Sequence, residues 1–369
     1  MEKTAWVGWM STKFPLEIPE TLGLSICSPE SAAAARAGRG EGSALCQAAE
    51  KLGYAPDLCS YVRMGLSLAS RQGEGDLPQP DFLLCCDNIC SGMVQWYQAM
   101  ARTLGVPLFL VNVPYGQRGE SGVTTYIRRQ LEVVIQGLEK LTGRQWKEER
   151  FAQVCSQANR TAQAWQRVLD TARKNPAPLD SMEIFNFMPQ MVTGRCRVET
   201  EQALIKLETE LRRRSVQSKQ MLPYRVFWEG TPCWPVLHQV LLMLNSRGIQ
   251  VVADPISQSL GFQYTDLDGL VRAYCGTLNG VLLEEGVTQR VQWCRRYQVD
   301  GVLVHYNRSC RPWCGWLPEV ERRLRQELEV PVVCFDGDQG EASVFSAGAF
   351  ALRLDALVEQ MAAMRKRAV

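Results

Sequence analysis

Short apolar runs rich in β-branched and aromatic residues recur along the chain, each followed by a polar turn and a helical pattern. Thr4 to Met10, Phe82 to Cys86 and Leu108 to Val113 read as buried strands of a first half. Arg225 to Trp228, Ile249 to Ala253, Gly301 to His305 and Val330 to Phe335 repeat the theme in a second. Helical patterns such as Val94 to Leu104 and Pro318 to Leu328 lie between them. Such alternation calls for parallel pairing with right-handed crossovers, so the expected fold is α/β with two doubly wound (Rossmann- or flavodoxin-like) halves.

The middle of the chain differs. Tyr126 to Leu141 and Arg144 to Lys174 carry apolar residues at helical spacing with no strand between them, and Glu199 to Arg214 continues the helical character. The expected organisation is an N-terminal α/β domain over 1–143, a helical connector or cap over 144–218 and a C-terminal α/β domain over 219–369. A chain of 369 residues is long enough for two such cores. The run Arg212-Arg213-Arg214, with acids just before it, reads as a solvated helix end whose charges suit the C-terminal dipole.

Charge excludes some classes of partner. Lys and Arg total 41 against 39 Asp and Glu, a formal charge of +2, so no bulk electrostatic pull toward nucleic acid or an anionic membrane is expected. The start Met1-Glu2-Lys3-Thr4-Ala5-Trp6 lacks the pattern of a secretory signal, and no apolar run reaches the length of a membrane span. The expected compartment is the cytoplasm, where thiols stay reduced.

That matters because the chain holds 14 Cys and only 2 His, His238 and His305. A His-rich zinc site or a His-based triad has few parts to draw on, so sulfur must carry any metal chemistry. In open α/β sheets, ligands gather beyond the carboxyl ends of the strands. Cys90 falls there, after the strand and turn Pro80 to Ile89 and at the start of a helix, where unpaired N–H groups favour a thiolate. Cys310 follows Val302 to Ser309 in the same way, and Cys59 sits in another turn that opens a helix. Three thiolates on three loops can converge on the crevice between the halves, and three Cys around a 4Fe-4S cubane leave one iron open. The competing reading is packing, because free Cys is among the most buried residue types and none of the compact ferredoxin or zinc spacings is present. Packing is the reading for Cys27, Cys46, Cys155, Cys196, Cys233, Cys275 and Cys294.

Several ordered segments then carry a resemblance: Pro29-Glu30-Ser31 with Ala32 to Ala35; Asp57 to Arg63 around Cys59; Asp81 to Cys90 followed by Trp96-Tyr97; and Met182 to Asn186. Phe227 to Trp234, His305 to Cys310 and Phe335 to Gln339 complete the set. Through them nearly the whole chain resembles the 2-hydroxyacyl-CoA dehydratase and benzoyl-CoA reductase family, and within it the smaller, D-component (beta) subunit. The resemblance implies a 4Fe-4S cluster on Cys59, Cys90 and Cys310 and a heterodimer with a larger homologous subunit. It also implies an ATP-dependent iron-sulfur activator that injects one low-potential electron. In such dehydratases the electron reaches the carbonyl of an acyl-CoA thioester, and the resulting ketyl radical sheds water and returns the electron.

Within that expectation Glu30, Arg308 and Asp336 are candidate catalytic groups, with Glu229 a further polar residue facing the crevice. Arg308 beside Cys310 is expected either to offset cluster charge or to pair with an acid such as Asp336. Cys314 stands where the family usually has a small polar residue, and Gly340-Glu341-Ala342-Ser343 departs from its usual Asp-Pro-Arg. Cys86 with Cys90 and Cys310 with Cys314 then form equally spaced pairs, so Cys86 and Cys314 are possible extra ligands. The alternatives to a dehydratase are a benzoyl-CoA-type reductase or a double-cubane reductase of small molecules.

Overall fold

The computed structural model describes residues 5–70, 77–117, 120–217 and 223–367. Two four-stranded sheets form its frame, and every neighbouring pair of strands runs parallel. The first contains β1 (Val7–Met10), β2 (Ser25–Cys27), β3 (Phe82–Cys86) and β4 (Leu108–Val111) in the order β2-β1-β3-β4. The second contains β5 (Tyr224–Glu229), β6 (Ile249–Ala253), β7 (Gly301–Asn307) and β8 (Val332–Gly337) in the order β6-β5-β7-β8. Each chain path turns back between its first and third strands, which opens a crevice at that carboxyl edge. The two doubly wound halves are those the alternation implies; Thr4, the expected start of β1, lies outside the described residues.

Strand β3 shows how the sequence builds two layers. All five of its residues are buried, and successive side chains point to opposite faces. Phe82, Leu84 and Cys86 join Met10, Phe14, Ile127 and Leu131 on one face. Leu83 and Cys85 join Trp9, Trp96, Tyr97 and Met100 on the other. Each large side chain enclosed in this way contributes about 1.5–3 kcal/mol of burial free energy. The helix Ser91–Leu104 that follows ends at Gly105, whose φ of +66° stops it in a left-handed turn.

Between the sheets in sequence come the helices Ser121–Thr142, Glu148–Asp170 and Val198–Gln217. The last packs along the second through Arg160–Glu201 and Arg167–Glu208. Arg212, Arg213 and Arg214 are exposed and tied to Glu208 and Glu210, a solvated helix end. Among the described residues no helix is long and apolar enough to cross a membrane.

Glu229 ends β5 with no exposed surface and does not face an open crevice. Both its oxygens accept from Arg290, at 2.8 and 2.9 Å, and Arg290 is itself buried. Arg290→Met strands the carboxylate inside the second half, so we expect a loss of about 3–5 kcal/mol, read from denaturant unfolding.

Candidate thiol site between the two sheets

Three cysteines stand at three helix starts. Cys59 precedes the helix Ser60–Ser70, Cys90 is the residue before Ser91–Leu104, and Cys310 caps Arg311–Leu328. The first N–H groups of a helix have no partner within it, and here they turn onto sulfur. Those of Val62 and Tyr61 reach Cys59, those of Met93 and Gly92 reach Cys90, and that of Trp313 reaches Cys310.

The thiols also act on one another. Burial is the largest influence on each and pushes Cys59 up to about 11, with Cys90 and Cys310 also raised. Negative charge on Cys90 raises Cys59, and charge on Cys59 or Cys90 raises Cys310, so all three pairs are within electrostatic reach. The N–H groups pull the other way without prevailing. The result is a set of three half-buried, neutral thiols where the two halves meet. Among the described residues, no three of His, Cys, Asp and Glu gather closely enough to hold a single metal ion.

Contacts between the halves fix this arrangement. The Ser60 N–H donates to Ser309 Oγ at 3.2 Å, and Ser309 Oγ bonds Asp338, whose other oxygen accepts the Gly340 N–H at 2.7 Å. Gln339 Nε2 donates to Cys59 Sγ at 3.1 Å, and Asn279 Nδ2 to the Ile89 carbonyl at 3.2 Å. Glu341 pairs with buried Arg63, which also holds Glu50 at 2.7 Å. A side chain on Gly340 would strike Ser60 and Met64, so only glycine lets this loop enter the first half.

The remaining candidates fall in different places. Glu30, in the first turn of the helix Pro29–Gly38, is buried beside the site and raises Cys90. Its carboxylate accepts from the Thr12 N–H at 3.0 Å, Tyr97 Oη at 3.1 Å and Ser28 Oγ at 3.3 Å. Burial nevertheless raises its pKa above the usual glutamate value, against the pull of those donors. Arg308 and Asp336 are 63% and 60% exposed and pair with each other at 3.2 Å, and the Arg308 charge falls on Cys314. Cys86 faces the other layer of the first sheet, because strand alternation directs Cys85, not Cys86, toward the Cys90 side. Cys314 lies one helical turn beyond Cys310, and its thiol donates to the Asn307 carbonyl at 2.9 Å.

Two contacts have no local signal in the sequence. Cys233 Sγ meets His305 Nε2 at 3.1 Å, while His305 Nδ1 meets the Thr231 carbonyl at 2.5 Å. Burial pushes His305 down to about 4 and Cys233 up, so the pair is neutral. The other is the Gln339 bond to Cys59, made across 280 positions.

Fold and geometry together define a two-lobed α/β protein with a thiol-lined site between its parallel sheets. The family model described as "2-hydroxyglutaryl-CoA dehydratase, D-component" matches residues 11–361, and the chain belongs to that family. It is 35% identical to the alpha subunit of (R)-2-hydroxyglutaryl-CoA dehydratase from Acidaminococcus fermentans, over 98% of this chain and 93% of the relative. The (R)-phenyllactyl-CoA dehydratase alpha subunit of Clostridium sporogenes is also 35% identical, over 99% of this chain and 92% of its own length. A benzoyl-CoA reductase subunit from Thauera aromatica is 22% identical, over 90% of this chain and 83% of its own. Dehydratases of this kind are carbon–oxygen lyases. The two dehydratase relatives are named alpha subunits, so the beta designation expected from the sequence finds no support in them.

Proposed function

We propose that the chain is the cluster-bearing subunit of an oxygen-sensitive 2-hydroxyacyl-CoA dehydratase, with Cys59, Cys90 and Cys310 holding a 4Fe-4S cluster. The observation that supports this is the placing of three half-buried thiols, within electrostatic reach of one another, at three helix starts drawn from both halves. Three cysteines suit a cubane with one iron open to an exogenous ligand, and N–H groups around the sulfurs suit its negative charge. When bound, such a cluster supplies one low-potential electron to the thioester of an acyl-CoA.

The chain's own residues do the rest. The helix starts hold the ligands and the interlobe bonds exclude water. Glu30, held by Thr12, Ser28 and Tyr97, takes the β-proton whose loss must accompany departure of the hydroxyl. Arg308 and Asp336, paired and open to solvent, stand outside that step. A homologous partner and an ATP-dependent iron-sulfur activator complete the enzyme, which we place in the reducing cytoplasm. Two observations favour dehydration by one cubane over the alternatives. The dehydratase relatives share 28–35% identity against 22% for the benzoyl-CoA reductase chain. Cys86 is enclosed in an apolar layer away from Cys90, which leaves a second cubane short of a ligand.

Anaerobic purification with the co-purifying partner identified, followed by iron and sulfide analysis, tests the proposal. We expect about four irons per chain, loss of the brown colour in air, and dehydration of a 2-hydroxyacyl-CoA when activator and ATP are added. About eight irons per chain would replace this reading with the double-cubane one, and an iron-free chain would end both.

A further inference from the structure

Gln339 lies just past the end of β8 and is only 4% exposed. Its Nε2 donates to Cys59 Sγ at 3.1 Å, and its Oε1 accepts from Asn307 Nδ2 at 2.9 Å. The two ends of an amide side chain have nearly the same shape, so its neighbours must decide which end faces which. A ligating thiolate can only accept, so it demands the NH2 end of Gln339. The Nδ2 of Asn307 can only donate, so it demands the oxygen. The two requirements agree. The backbone of Asn307 is held as the last residue of β7, opposite Gly337, while its Oδ1 has no hydrogen-bond partner among the described residues, so a thiolate at Cys59 sets the direction of both amides.

We propose that Gln339 is a positioning residue that acts through Cys59 to raise the reduction potential of the cluster, with Asn307 holding the far end of its amide in place. The inference rests on the cluster reading above and adds how this chain adjusts the group. An N–H bond to a ligand sulfur draws charge from it, and that matters most in the reduced, more negative state. The donor comes from the second half and the sulfur from the first, so the adjustment exists only when the two halves are closed on each other. Helix-start N–H groups serve all three cysteines, whereas this side-chain donor serves Cys59.

The test uses the anaerobically purified complex and compares the unmodified protein with Gln339→Met, which keeps length and burial but cannot donate, and with Asn307→Ala, which frees the amide to turn. Iron per chain is measured first, then the midpoint potential by spectroscopically monitored redox titration. Gln339→Met is expected to lower the reduced-to-oxidised ratio at a fixed potential about tenfold, a shift of about 59 mV for one electron. Asn307→Ala is expected to move it the same way by less. Should Gln339→Met fail to retain iron, Asn307→Ala decides by the same measure. Midpoints equal to that of the unmodified protein in the iron-loaded variants overturn the proposal. An unmodified complex without iron overturns the cluster reading itself, which is a separate and visible result.

Discussion

Replacing Cys59, Cys90 or Cys310 singly with alanine is expected to drop iron from about four per chain to near zero and to abolish dehydration. Each thiol reaches the site from a different loop, so no neighbour can swing in to replace it. Cys314 is the nearest substitute, but its thiol is engaged with the Asn307 carbonyl at 2.9 Å and it sits a turn into the Cys310 helix. Cys314→Ala is therefore expected to keep both iron and activity. The alanine variants should still fold, because each removes a half-buried, neutral thiol whose ionised form burial disfavours. Circular dichroism separates cluster loss from unfolding. A Cys310→Ala variant with full iron and the unmodified optical spectrum would show that the three-thiol site does not hold the cluster.

Much of this arrangement is legible in the sequence, and the rest hides for physical reasons. Seven of the strands stand out as apolar runs, whereas β2 is only Ser25–Cys27, too short for a period-two pattern to emerge. Pairing between β7 and β8 runs on to Asn307 and Gly337, so residues that read as polar loop are strand ends. That extension is what lets Asn307 reach Gln339. Cysteines at strand-to-helix turns can be found because helix starts have a sequence signal. Which of Cys85 and Cys86 faces the site needs the register of β3, which the alternation rule supplies only once the strand is placed. Arg308 is near Cys310 in sequence, yet the turn between them sends its charge outward to Asp336. Contacts such as Cys233 with His305 and Gln339 with Cys59 depend on how strands from distant segments are ordered, and local pattern carries no trace of them.

Glu30→Gln is expected to lower turnover by a factor of about 10²–10⁴ while leaving iron content and substrate affinity unchanged. The amide keeps the shape of the carboxylate and can still accept the Thr12 N–H, so the helix Pro29–Gly38 should stay in place. What it loses is the ability to take a proton. The pH dependence gives an independent signature. Burial makes Glu30 harder to ionise than an ordinary glutamate, and a base works only when ionised, so activity should rise with pH through a limb above the usual carboxylate range. That limb should vanish in Glu30→Gln. In Tyr97→Phe, loss of the hydroxyl that donates to the carboxylate at 3.1 Å should move it to still higher pH. Stability changes with the opposite sign. The folded chain holds the Glu30 proton more tightly than the unfolded chain, so this contribution is full below the ordinary glutamate pKa and is lost as pH rises through the raised one. Glu30→Gln should remove that slope from the pH dependence of unfolding. Full turnover in Glu30→Gln would reduce Glu30 to a buried acceptor for Thr12, Ser28 and Tyr97, and the proton would have to leave by another group.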